Sequence, residues 1–202
     1  SNPPGKLTPL NETGANQTPE VSYDFQAAIG EFGEITPKYR ELRLLHAFVH
    51  GFGEDLAPMI PALPSRRPAG PGDVETFRTM LRADDDSGYL FFNNYQRFVE
   101  NRDLEDVQVE VKLRSGSVLV PRTPITIPRD SFGILPVNLN LNSAILEYAT
   151  AQPLMRMEVE GRTVVFFCAI DGIEPEFVFA PGTVAAIQSS GSSMKSDVDR
   201  RI

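Results

Sequence analysis

One cysteine, no tryptophan and two histidines leave little material for several kinds of chemistry. A lone Cys168 excludes an intrachain disulfide, and its setting in Val164-Val165-Phe166-Phe167-Cys168-Ala169 gives it the character of a small buried hydrophobe rather than a reactive thiol. His46 and His50 have a spacing that puts two imidazoles on one helix face. No Glu-x-x-His motif or second cluster accompanies them, so they read as a solvated pair and no metal site is expected. Positive charge is scarce too: 19 Lys and Arg stand against 27 Asp and Glu, for a net charge of −8. With no basic patch interleaved with aromatics, neither nucleic acid nor an anionic membrane is expected as a partner. No apolar run approaches the length of a membrane span, and Ser1-Asn2-Pro3-Pro4-Gly5 lacks the charged start and apolar core of a signal peptide. The chain reads as soluble, with Ser1 a cut end. A glycine-rich phosphate loop, a dinucleotide fingerprint and a Ser/His/Asp order are all missing, so no cofactor is expected.

What is present is dominated by short β-rich runs. The densest is Ser87-Gly88-Tyr89-Leu90-Phe91-Phe92-Asn93-Asn94-Tyr95-Gln96-Arg97, which follows the acidic turn Asp84-Asp85-Asp86-Ser87. Its aromatic content and short length predict a buried strand over 88–95. Val107-Gln108-Val109-Glu110-Val111-Lys112-Leu113 alternates strictly, predicting one dry and one wet face. Other strands are predicted at 75–82, 118–120, 125–127, 132–139, 145–150, 154–159, 164–169, 177–179 and 184–187, with Arg114-Ser115-Gly116-Ser117 and Glu160-Gly161 as turns. Pro124, Pro128 and Pro136 are expected at strand ends, edges or bulges, because proline donates nothing to a ladder. The pattern is that of a mainly β fold, an antiparallel β-sandwich over 75–188, with a polar tail at 189–202.

The first part of the chain differs in kind. Residues 1–20 carry Pro3, Pro4, Pro9 and Pro19 and read as loop, with Asn11 and Asn16 in glycosylation triplets. Val21-Ser22-Tyr23-Asp24-Phe25 alternates as a short strand, and Gly30 and Gly33 mark a turn. Thr36 as N-cap and Pro37 at the first helical position open a helix with an apolar stripe of Tyr39, Leu42, Leu45, Phe48, Val49 and Phe52. Gly51 and Gly53 are expected to end it. One strand and one helix cannot bury each other well, so this piece needs a larger neighbour. From Leu56 to Asp73, Pro58, Pro61, Pro64, Pro68 and Pro71 predict a semi-stiff linker.

Glycosidic hydrolysis needs two carboxyl groups flanking the sugar. Asp24, Glu31 and Glu34 are available but crowd into one strand end and a turn, and no complete active site is legible. Asp84-Asp85-Asp86 lacks the alternation and closing Glu of a calcium loop and reads as a solvated turn.

Several of these stretches together resemble one family. Val21-Ser22-Tyr23-Asp24-Phe25, followed by Gly33-Glu34-Ile35-Thr36-Pro37-Lys38-Tyr39-Arg40-Glu41-Leu42-Arg43, is similar to the end of the catalytic barrel of glycoside hydrolase family 35, the β-galactosidases. Phe52-Gly53-Glu54-Asp55-Leu56-Ala57-Pro58-Met59 resembles the exit from that barrel. Gly88 to Arg97 and Tyr148-Ala149-Thr150-Ala151-Gln152-Pro153-Leu154 resemble the β domain that follows.

The resemblance implies a short strand-and-helix remnant of a (β/α)8 barrel at 1–60, a proline-rich linker at 61–74 and the β-sandwich after it. It implies a retaining hydrolase acting on galactoside-type carbohydrate, often exported to the periplasm, the exterior or a lysosome. Both catalytic glutamates of the family fall outside this chain, so the catalytic set here is none, and the missing barrel portion of the same polypeptide is the implied partner. A whole barrel takes about 250 residues. Tyr23, Asp24 and Phe25 match the motif that faces the galactose pocket, although Phe25 replaces a common Tyr and removes a donor. Two other readings stand beside this one: Tyr23 packs under the helix while Asp24 braces the turn, or the β domain works alone as a carbohydrate-binding module, stacking sugars on Tyr89, Phe92, Tyr95 and Phe98. A purely structural domain, docking through Leu42, Leu45, Phe48 and Phe52, is a third.

Overall fold

The computed structural model describes residues 27–30, 33–142 and 144–184, and the chain divides into two compact units, Ser1–His50 and Gly51–Ile202. In the first, the glycine turn forms as its residues require: the Gly30 N–H donates to the Glu34 carbonyl at 2.9 Å, Gly33 takes φ 82°, and Ile29 bridges Ile35. Helix α1 (Pro37–Leu56) opens at proline, where the absent N–H has no partner to lose. Thr36 does not cap it. Its hydroxyl points back to the carbonyls of Ala27 and Ala28, at 3.2 and 3.1 Å, and so closes the preceding turn instead. Of the apolar stripe, Phe48 and Phe52 are buried, whereas Leu45 and Val49 are 43% and 50% exposed.

The glycines expected to end the helix lie inside it, and α1 runs on to Leu56. At Gly51 the reason is a close approach. A Cβ there would lie 2.8 Å from the Arg156 nitrogen and 3.0 Å from the Met155 Cα, so only a bare backbone fits.

Ten strands follow among the described residues: β1 (Ile60–Ala62), β2 (Arg78–Ala83), β3 (Gly88–Asn93), β4 (Leu104–Leu113), β5 (Gly116–Ile127), β6 (Phe132–Asn140), β7 (Ile145–Ala149), β8 (Gln152–Val159), β9 (Arg162–Cys168) and β10 (Phe177–Phe179). Among the described residues the fold is mainly β with one helix, and every ladder is antiparallel. One six-stranded sheet runs β1-β2-β3-β6-β7-β10, with β4-β5 and β8-β9 as separate two-stranded ribbons. Glu160 (φ 50°) and Gly161 (φ 73°) turn β8 into β9 with the pair of positive φ values that suits strand twist.

Several boundaries differ from expectation for identifiable reasons. The proline-rich stretch contains β1, which among the described residues is an edge strand paired only with β2, where Pro61 is tolerated. The strand expected from Glu75 starts at Arg78, because Asp73 draws the preceding residues into a turn: its carboxylate accepts the N–H groups of Ala69, Glu75 and Thr76 and the Thr76 hydroxyl. The two short strands expected at 118–120 and 125–127 are one, β5. It carries Pro121 and Pro124 because, among the described residues, β4 is its sole ladder partner and its other edge makes no ladder bonds. Pro136, by contrast, lies within a central strand. β6 pairs with β3 there, while the β7 ladder begins only at Val137, beside left-handed Asn138 (φ 51°). Val184 is irregular, and the rest of the strand expected there, like the strand at 21–25, lies outside the described residues.

Alternation assigns the layers. Leu90 and Phe92 of β3, Leu135 and Val137 of β6, Tyr148 of β7 and Val178 of β10 form one buried cluster with Val111 of β4 and Val118, Val120 and Ile127 of β5. The β4-β5 ribbon therefore covers one face of the sheet, each such side chain contributing about 1.5–3 kcal/mol by leaving water. Tyr89, alternate to Leu90, points to the opposite face and meets the Phe52 ring edge-on, centroids 5.9 Å apart. No helix is long and apolar enough to cross a membrane among the described residues.

Candidate functional site

Tyr23, Asp24 and Phe25, the residues matched to a sugar pocket, lie outside the described residues, as does Glu31. Glu34 is exposed in the glycine turn, and His46 and His50 are exposed on α1. Asp84 organises its turn, Oδ1 accepting the N–H groups of Asp86 and Ser87 at 3.0 and 2.8 Å. Partial burial alone would raise its pKa, but hydrogen bonds from Ser87 and Asp86 outweigh that and hold the carboxyl below its ordinary 3.8. Among the described residues no three His, Cys, Asp or Glu side chains are grouped to hold a metal ion. Cys168 is half-buried, and desolvation pushes its thiol up, away from the reactive thiolate.

The first polar cluster of note fixes the end of α1 to the sheet. Asp55 and Arg156 form a two-pronged ion pair, Oδ1 to Nη2 and Oδ2 to Nη1 both at 3.0 Å, with 30% and 29% of the side chains exposed. The Tyr89 hydroxyl donates to Asp55 Oδ2 at 3.4 Å. Burial first, then the Asp55 charge, drives the Tyr89 phenol far above its ordinary 10, so it stays a donor. The Arg156 guanidinium also lies 5.3 Å from the Phe52 ring centroid. Arg82 Nη2 donates to the carbonyls of Leu56 and Met59 at 3.1 and 2.8 Å, placing a cation where the helix ends and its last carbonyls need partners.

A second cluster joins strands. Arg122 Nη2 donates to both oxygens of Glu147 at 2.6 Å, the Arg122 N–H donates to the Tyr148 hydroxyl at 3.0 Å, and that hydroxyl donates to Glu176 Oε2 at 2.7 Å. These two carboxylates are engaged by a guanidinium and a phenol. The arrangement ties β5 to β7 and to the approach to β10; it is not a proton donor facing a nucleophile across a sugar.

An open polar feature lies beside the loop that follows β3. The segment 94–103 between β3 and β4 meets the turn 128–131 between β5 and β6, and amides hold them together. Asn94 is buried, and its Nδ2 donates to the carbonyls of Arg102, Ile127 and Pro128 at 3.0, 3.2 and 2.9 Å. Asn101 exchanges two bonds with the Gln96 backbone and donates to Asp130 Oδ1 at 2.8 Å. Asp103 Oδ1 accepts the Arg129 N–H at 2.8 Å. These contacts frame an open cleft of about 570 Å³ lined by Val74, Glu100, Asn101, Arg102, Asp103 and Arg129. Arg102 pairs with Glu75 on its rim. Carboxylates, guanidinium groups and an amide together offer both donors and acceptors, as hydroxyl-rich ligands require.

The sequence reading missed this cleft. The signal for it is the set of amides Asn93, Asn94 and Asn101 around a short aromatic loop, which is turn chemistry rather than a catalytic motif. The stacking set divides here: Tyr89 and Phe92 are buried in the sheet's two faces and cannot meet a sugar, while Tyr95 is 49% and Phe98 90% exposed on the cleft's own loop. Alternation of β3 explains the loss, since both its faces are covered.

The Asp73 turn predicts a contribution to stability that acid removes. Asp73 is held below its ordinary 3.8, first by the Ala69 N–H and then by the Thr76 hydroxyl. A depressed folded pKa gives stability that is complete above the unfolded value and is lost as pH falls through the folded one. Urea midpoints should therefore decline on acidification below about pH 4, and Asp73→Asn should flatten that decline; an equally steep decline in the variant would contradict the assignment. No family model matches the chain, and no curated protein matches it.

Proposed function

We propose that the chain is a segment of a β-galactosidase-like retaining glycoside hydrolase resembling family 35. In this reading the β domain buttresses the catalytic barrel, and both catalytic glutamates are carried outside this chain. The observation that supports it most is the end of α1. Residues 51–56 are fixed to the sheet by the Asp55–Arg156 pair, the Tyr89 hydroxyl, the Arg82 guanidinium and the bare backbone at Gly51. Upstream on the same helix Leu44, Leu45 and Val49 remain exposed, an apolar surface of the kind that a barrel's neighbouring elements would cover.

A buttress must transmit a fixed position, and a bidentate Arg–carboxylate pair does this through geometry more than through net energy. In the intact enzyme the chemistry is double displacement through a glycosyl-enzyme, with one carboxyl acting as nucleophile and the other as acid and then base. Tyr23 and Asp24 take the positions matched to the galactose pocket, and Phe25 withholds the hydroxyl that a Tyr would offer. An exported location belongs to the same proposal. The expected result is that the pure 202-residue chain does not turn over a chromogenic β-galactoside while the full gene product does. Turnover by the pure chain, or none by the full product, would refute the reading.

A further inference from the structure

Two aromatic side chains of the loop between β3 and β4 stand largely in solvent. Phe98 is 90% exposed and its backbone is left-handed, φ 68°, a conformation unfavourable for an aromatic residue. The Arg97 guanidinium lies 4.7 Å from its ring centroid, covering one face and leaving the other to solvent. Tyr95 is half-exposed in the same loop, and its backbone is pinned by Asn93, whose Oδ1 accepts the Tyr95 N–H at 2.9 Å and whose Nδ2 donates to the Tyr95 carbonyl at 3.3 Å. The loop is thus tied down by its amides while its rings are held in water. Two residues beyond Phe98 the chain enters the wall of the polar cleft at Glu100.

We propose that this loop and cleft form a binding site for a neutral oligosaccharide, with Phe98 and Tyr95 as the stacking platform and the cleft as the hydrogen-bonding subsite. The proposal does not depend on the galactosidase reading. Pyranose rings present an apolar face of C–H groups and an equatorial rim of hydroxyls, and they need an aromatic ring beside mixed donors and acceptors. The loop between β3 and β4 carries the two exposed rings and, directly after them, four of the six cleft-lining residues, Glu100, Asn101, Arg102 and Asp103, while Val74 and Arg129 come from other segments. The cleft's volume of about 570 Å³ lies within the range of small-ligand sites. Its carboxylates Glu100 and Asp103 offset the guanidinium groups of Arg102 and Arg129, and the chain's net charge of −8 opposes an acidic sugar, which leaves the neutral class.

The test is titration of the full chain with β-1,4-galactotetraose, cellotetraose and mannotetraose, followed by calorimetry and by amide shifts in NMR spectra. Saturable binding of at least one, with Kd on the order of 0.1–1 mM and shifts concentrated at Tyr95–Asp103, is expected. Phe98→Ala should weaken it about tenfold and Phe98→Tyr should preserve it, since the ring and not the packing is removed at so exposed a position. The wild-type shift map stands whether or not a variant folds. Absence of saturation by all three sugars at about 10 mM, binding undiminished in Phe98→Ala, or shifts centred away from this loop would each overturn the proposal.

Discussion

Gly51→Val is expected to destabilise the chain by about 2 kcal/mol in urea denaturation. Two effects oppose each other. Away from contacts, valine in place of glycine improves helix propensity by a few tenths of a kcal/mol, about 0.3–0.5. At Gly51 the new Cβ meets backbone, 2.8 Å from the Arg156 nitrogen and 3.0 Å from the Met155 Cα, and no flexible side chain is there to swing aside. Either the last turn of α1 or the β8-β9 ribbon must move, and overpacking of this kind costs about 1–3 kcal/mol before the γ-methyls are accommodated. The collision also bears on the ion pair, because Arg156 supplies both the crowded nitrogen and the guanidinium that holds Asp55. Gly51→Ala separates the terms. It gains about 1 kcal/mol of propensity and keeps the clash, so a net loss is expected; a variant more stable than the parent would contradict the close approach.

The second large effect is expected at Asn94. Its Nδ2 serves three carbonyls, those of Arg102, Ile127 and Pro128, its own N–H donates to the Ser131 carbonyl, and its carbonyl accepts the Asp130 N–H. Asn94→Leu conserves much of the volume and leaves those carbonyls facing an apolar side chain. Stranded buried acceptors cost about 1–3 kcal/mol each, and with partial access to water the total should be about 3 kcal/mol. The loss is local in character: trypsin should cut sooner at Arg97 and Arg102, because the Asn94 side chain is the buried anchor of the segment 94–103, whose other side-chain ties are exposed or part-buried. Unchanged stability together with unchanged proteolysis would show that the amide is not what holds the loop.

These two residues also indicate what is legible in a sequence of this type. The alternation of Val107 to Leu113, the Glu160-Gly161 hairpin and the helix opened at Pro37 were readable, as was the aromatic strand expected over 88–95, although β3 ends at Asn93, because each is a local pattern with a local cause. Gly51 was read as a helix end because glycine there has two meanings, termination and close approach, and only the position of Arg156, distant in sequence, decides between them. Asp73 and β1 were hidden within a proline-rich stretch for a similar reason: an edge strand of three residues carries too little pattern, and a carboxylate that gathers three N–H groups resembles any other turn residue.

The polar cleft was harder still to foresee, since its lining converges from segments separated by some thirty residues and includes no group with an unusual spacing. The aromatic platform was half legible. Tyr95 and Phe98 remained candidates after folding, while Tyr89 and Phe92 were claimed by the two covered faces of β3. The Asp55–Arg156 pair spans 101 positions and had no sequence signal, although Asp55 lies in a stretch that resembles a barrel exit.

If the chain is part of a retaining hydrolase whose reacting carboxylates lie elsewhere, as proposed, trapping the covalent intermediate shows it most directly. The full gene product is treated with a 2-deoxy-2-fluoro-β-galactoside, digested and mapped by mass spectrometry. The account predicts a single galactosyl label on a glutamate outside the 202 residues described by this sequence. A label on any carboxylate within them, or no label on an enzyme that is otherwise active on β-galactosides, would contradict it.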